Sequence, residues 1–111
     1  MAYRSKLRDA AELIFTPEGK LNPETWTQGE FARTKEGHRV SPTDARAVKF
    51  CALGALERAR VGSAAWYCLH AARSRHIVGR SLGEVNDDHP DLLPDIWSEA
   101  IEADEALNGG E

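Results

Sequence analysis

The sequence predicts a mainly α-helical fold: four helices forming one compact domain over residues 1–111, with a small β-hairpin accommodated between the first and second helices. Three observations lead there. Apolar residues recur at helical spacing near both ends of the chain. Two interior segments open on helix-capping signals, Ser41-Pro42-Thr43-Asp44 and Ser63. A chain of 111 residues supplies one hydrophobic core and not two.

The first helix is expected over about Tyr3–Phe15, where Tyr3, Leu7, Ala10, Ala11 and Ile14 share a face and Pro17 ends the run. Residues 16–41 carry glycines and prolines without helical period. Trp26 is the large apolar anchor of that stretch, and Glu30–Lys35 with His38–Val40 suit a hairpin turning at Gly37. The second helix is capped at Ser41, takes Pro42 at its first position, runs to about Arg60 and stops near Gly62. Ser63 caps the third, about Ala64–His76. Gly79, Gly83 and Asn86-Asp87-Asp88-His89-Pro90 read as a connection with a short extended piece inside Ile77–Val85, and Asn-Asp-Asp as a turn. The last helix covers about Asp91–Leu107, with Pro94 confined to its first turn and a frayed end over residues 108–111.

Charge is laid out unevenly. All 14 Lys and Arg fall in residues 1–80 with eight acids, leaving +6, while residues 81–111 hold ten acids and no base, giving −10. Two readings follow: the acidic end folds back on the basic body, or the two form opposed surfaces for a protein partner or a homodimer. The acidic overall balance argues against general nucleic-acid binding. No apolar run approaches the ~20 residues of a membrane span, and the charged start lacks the apolar stretch of an export signal. Two cysteines make no disulfide framework, so a cytoplasmic setting with reduced thiols is expected.

The segment F-C-A-L-G-A-L, Phe50–Leu56, poses the main chemical question. On a helix from Ser41 to Arg60, Cys51 falls mid-helix at the border of the stripe Ala45, Val48, Ala52, Ala55, with Arg58 further along the same flank. A mid-helix thiol gains little from the helix dipole and needs a base brought from elsewhere. The catalytic reading sets Cys51 as nucleophile, a histidine as base (His70, with His38, His76 and His89 the other choices) and Asn86 or Asp87 as the orienting group. The packing reading is favoured, because a buried cysteine behaves as a small hydrophobe. The small residues beside Cys51 either admit another backbone or leave room for a ligand over the thiol.

Three further groups of residues stand out. Trp66, His70 and Arg73 share a helical face suited to recognition. Asp95, Glu99 and Glu102 belong to an acidic face of the last helix, the second candidate partner surface. Arg58 and Arg73, with Arg60, Arg75 and Arg80, offer a site for a nucleotide-like anion, though without a phosphate loop. Cys68, His70, His76 and His89 lack a recognised zinc spacing, so neither a metal nor a cofactor is expected.

The order of motifs carries a resemblance. A-A-x-L-I, then Trp26 and Gly29 as W-x-x-G, Val40, F-C-A-L-G-A-L, the Asn86-Asp87 pair and a final W-x-x-A-I follow one another over about residues 7–106. This order resembles a family of small bacterial and phage proteins classed as a domain of unknown function. Phe50, Cys51, Gly54, Ala55, Leu56, Asn86 and Asp87 are the corresponding positions, with Val85 standing where the family pattern has an aromatic. The resemblance implies a bacterial or phage setting and supplies no activity. Together these readings lead to a small cytoplasmic binding or regulatory protein, with inhibition as one form of action. The alternative is a Cys51-centred hydrolase or small-anion binder.

Overall fold

Ser5 opens the first helix by accepting the Leu7 N–H on its hydroxyl at 3.1 Å. This helix, α1 (Lys6–Ile14), buries Leu7, Ala10 and Ile14 and presents its charged side chains outward. The computed structural model describes residues 3–108. After α1 come two short strands, β1 (Ala32–Arg33) and β2 (Lys49–Phe50), and four more helices, α2 (Ala52–Arg58), α3 (Ser63–His76), α4 (Leu82–Asp88) and α5 (Leu93–Asn108). A single 3-10 turn, Pro90–Leu92, leads into α5. The fold is mainly helical as expected, with five α-helices where four were predicted.

The second helix is shorter than expected, and α4 is the additional one. The helix expected from Ser41 starts only at Ala52, because Ser41-Pro42-Thr43-Asp44 closes local turns of its own: Asp44 N–H donates to Ser41 O, and Asp44 Oδ1 accepts Arg46 N–H at 2.8 Å. Beyond that turn the chain is extended. Val48 N–H donates to Arg33 O, and Phe50 N–H to Thr25 O, so pairing with distant segments overrides the local helix signal. The second correction is α4, which lies where a connection with an extended piece was expected. Ser81 and Glu84 form a reciprocal capping box, each side chain accepting the other's backbone N–H, at 3.1 and 2.9 Å. Asn86-Asp87-Asp88 is therefore the last turn of a helix and not a free turn.

The hairpin is present in modified form. Thr34 N–H reaches His38 O, Arg33 bridges Arg39, and Gly37 adopts φ +92° at the tip. The two-stranded antiparallel ladder, however, pairs Ala32 with Phe50 and Arg33 with Lys49. α2 ends in a Schellman motif: Arg60 N–H donates to Glu57 O and Val61 N–H to Leu56 O, with Arg60 left-handed at φ 59°. Of the frayed end expected over residues 108–111, Asn108 is the last residue of α5 and donates to Asp104, and residues 109–111 lie outside those described.

Packing centres on the α3–α5 pair, with α1 laid against α2 and α5. Leu7, Ile14, Leu56, Leu69, Leu93, Ile96 and Trp97 are fully or almost fully buried, each contributing roughly 2 kcal/mol by removal from water. Trp97 donates its indole N–H to Leu7 O at 2.9 Å and meets Phe15 edge-on, centroids 5.7 Å apart. The acidic end folds back on the basic body: Arg8 grips Glu105, Arg75 and His76 reach Glu99, and Tyr3 O–H donates to Asp104.

Candidate functional site

The family-like motifs, far apart in sequence, meet at one place in the fold. Asn86, almost fully buried on α4, accepts the Trp26 indole N–H at 2.8 Å and the Ala52 N–H at 2.9 Å on its side-chain oxygen. Its amide nitrogen donates to Thr27 O and Asp87 Oδ1. Asp87 in turn accepts the Gly29 N–H at 3.1 Å, and Gln28 donates to the backbone carbonyls of Asn86 and Asp87. W-x-x-G, the start of α2 and the Asn-Asp pair are thereby tied into one hydrogen-bonded unit.

Cys51 sits at the N-cap of α2, not mid-helix, and its sulfur accepts the Gly54 N–H at 3.3 Å. A helix N-terminus favours a thiolate. Here burial dominates and pushes the thiol up, against the opposing pull of the Gly54 and Leu53 N–H groups, with the Asp87 charge adding to the rise. Gly54 decides why small residues surround the thiol. A Cβ there would lie 1.9 Å from the Phe31 carbonyl oxygen, which also accepts the Cys51 N–H at 3.1 Å. The neighbour is another backbone. A cavity of about 410 Å³ does open beside Cys51, lined also by Glu30, Leu53, Glu84, Asp87 and Asp88, and no histidine is among its lining residues.

Phe31 was not singled out by sequence reasoning. Its backbone is pinned by that carbonyl, its neighbour Ala32 is fully buried, and its own ring is 54% exposed. Phe31 lines three depressions at once: the cavity beside Cys51, one of about 480 Å³ shared with Leu53, Glu57 and Trp66, and one of about 470 Å³ shared with Arg39 and Pro42. Trp66 is 38% exposed across the second of these. A larger concavity, about 970 Å³, is a separate groove between α1 and α5, lined in part by Ala11, Phe15, Trp97 and Ile101.

A sequence model of a family of unknown function, DUF6197, matches residues 3–103. The chain belongs to the DUF6197 family. No curated protein and no solved structure matches it.

In this DUF6197 chain the other predicted residues are placed as follows. Asn86 and Asp87 join Cys51 around one cavity, and His70 lies on the exposed side of α3. Trp66 lines a depression with Phe31, and the His70 ring lies 3.3 Å from the Arg73 guanidinium. Arg73 is buried and donates to the Ile77 and Arg80 carbonyls. Arg58 donates to the Pro42 and Asp44 carbonyls and lies over the Phe50 ring, 5.7 Å from its centroid. Both guanidiniums hold loops in place. On α5, Glu99 is paired with Arg75 and His76, while Asp95 and Glu102 are exposed. Burial pushes the Cys68 thiol up as well, with Asp104 adding to it. Among the described residues no three His, Cys, Asp or Glu side chains gather as a metal-ligand set, and no helix is long and apolar enough to cross a membrane.

Proposed function

We propose that this DUF6197 protein is a small cytoplasmic binding protein of bacterial or phage origin that acts through contact with a protein partner, with both cysteines reduced. The supporting observation is Phe31: a half-exposed ring on a backbone fixed by the Gly54 approach, with Trp66 across a shared depression. Rigid aromatic side chains beside concave surface are typical anchors of interfaces, since little freedom remains to be lost on binding. Regulation or inhibition of the partner would follow from occupying its surface. The hydrolase alternative draws no support from the cavity beside Cys51, which has no imidazole in its lining and a thiol pushed up by burial.

The test compares Phe31→Ser, Trp66→Ser and a control, Leu107→Ser, which changes a 74%-exposed side chain outside all three depressions. Each is used to capture partners from the native host's extract, with quantitative mass spectrometry. The expected result is a partner common to wild type and the control and lost from both aromatic variants, at unchanged melting temperature. Equal capture by all four proteins would refute the reading.

A further inference from the structure

We infer that the outer face of the α3–α5 pair docks a second copy of this chain, independently of the Phe31 surface. From Ser63 to Ser74 the sole Lys, Arg, Asp or Glu of α3 is Arg73, which is buried and held by the Ile77 and Arg80 carbonyls. Yet α3 packs chiefly against α5, and Ala64, Tyr67, His70 and Ser74 are exposed, Tyr67 to 71%. A half-exposed helix ordinarily turns charged residues to solvent, as the strongly amphipathic α1 does, whereas α3 has almost no amphipathic bias. In a chain with 29% charged residues, an exposed helix face without Lys, Arg, Asp or Glu has the composition of an interface core, where charge is depleted and tyrosine enriched.

α5 continues this face. Arg75 on α3 donates to Glu99 on α5 at 3.3 Å, while Asp104, further along α5, acts on Cys68, further back along α3, so the two helices run antiparallel. Ala71 and Tyr67 lie one and two turns back from Arg75, and Ala103 and Ala106 one and two turns beyond Glu99, which sets these four side by side. A large ring among alanines gives one surface both a knob and the gaps that receive it, as a twofold contact requires of the patch it repeats. A twofold axis parallel to the helices lays α3 of each copy antiparallel on α5 of the other and completes a four-helix bundle. It also brings the Arg75–Glu99 pair, with side chains 56% and 39% exposed, against its own copy in reversed order, so that each arginine meets the other copy's glutamate. The face is complementary to itself in shape and in charge. Two helices of this length side by side form a ledge of about 20 by 20 Å, roughly half the ~800 Å² per partner of a standard interface, so the dimer is weak and reversible.

The experiment is sedimentation velocity of the full chain from about 1 μM to 1 mM, where wild type should pass from monomer to dimer with a Kd on the order of 100 μM. Tyr67→Glu places a charge on the face and should weaken the dimer at least about tenfold at unchanged melting temperature. Val48→Ser, which changes an exposed apolar side chain on another segment, should dimerise as wild type does. A second measurement needs no variant: in a mixture of ¹³C-labelled and unlabelled protein, isotope-filtered NMR should show contacts from the Tyr67 ring of one copy to the Ala103 or Ala106 methyl of the other. Monomer at every concentration would overturn the second copy and leave the Phe31 reading standing, since that rests on partner capture. A dimer that folded Tyr67→Glu leaves intact, or one without the Tyr67 contacts to α5, would place self-association elsewhere and overturn this face.

Discussion

The indole N–H of Trp26 ends on the side-chain oxygen of Asn86, 2.8 Å away in space and 60 residues along the chain. That oxygen also receives the Ala52 N–H, and the amide nitrogen donates to Thr27 O and Asp87 Oδ1, so two lone pairs and two protons each have a partner. Such a network fixes one arrangement of three segments: the Trp26 loop, the start of α2 and the end of α4. It also sets the walls of the cavity at Cys51, linking fold and candidate site through one side chain.

Asn86→Ala leaves the buried Ala52 amide and the part-buried Trp26 indole and Thr27 carbonyl without their partner. The expected loss is about 3 kcal/mol, since each orphaned buried group carries a desolvation cost. Urea unfolding followed by tryptophan fluorescence measures it. Trp26 should also emit at longer wavelength in the folded variant. A variant as stable as the wild type would mean water replaces the amide without penalty.

Gly54→Ala tests the close approach that shapes F-C-A-L-G-A-L. The added methyl would overlap the Phe31 carbonyl, which is backbone and already held by Cys51 N–H, so it can yield only by moving β1 from α2. The general helix preference for alanine over glycine, about 1 kcal/mol, works the other way. Overpacking is expected to dominate, with a net loss of about 2 kcal/mol in chemical denaturation. A gain in stability would show that the approach relaxes freely.

How much of this was legible follows from which forces are local. The periodicity of α1, α3 and α5 is written in neighbouring residues, and those helices appear close to the expected positions. The α4 capping box, Ser81-Leu82-Gly83-Glu84, is equally local and was overlooked because Gly83 and Asn-Asp-Asp suggested a connection. Residues 41–50 differ in kind. Their turn residues do cap, but the strand that follows exists only because Ala32 and Thr25 are there to pair with Phe50. Likewise, Gly54 among alanines signalled a close neighbour, and sequence could not name Phe31 as that neighbour. The exposed ring of Phe31 carries no local signature at all, since apolar residues beside strands are ordinarily core.

Acid sensitivity should centre on the tie between α1 and α5. Glu105 is held at about 2, against an ordinary 4.5, chiefly by its hydrogen bonds from Arg8 and then by the Ser5 N–H. A carboxyl depressed on folding stabilises the native state above its unfolded value, and that contribution disappears as pH falls from 4.5 towards about 2. Glu105→Gln should therefore be less stable than wild type at neutral pH, and the two should converge near the acid end of that window. Asp44, held at about 2 chiefly by the Arg46 side chain, titrates over the same range and leaves the variant a residual slope. Denaturant midpoints at a series of pH values give the comparison. Parallel curves that never converge would assign the Glu105 contact no role in acid unfolding.

Cys51 gives the last prediction, and it decides between chemistry and packing. The residue occupies a helix N-cap, where a thiolate gains from free N–H groups, yet it is 5% exposed and its thiol is pushed up by burial. With the sulfur accepting the Gly54 N–H, capping is the role the geometry supports. In a Cys68→Ala background, iodoacetamide should label Cys51 only as fast as the protein unfolds, and the rate should rise with denaturant. Cys51→Ser, which retains a capping oxygen, should fold, while Cys51→Ala should lose about 1 kcal/mol with the cap. Rapid labelling of the folded protein at about pH 7 would mean an accessible thiolate in the cavity, and the Cys51-centred hydrolase would then take precedence over a binding role.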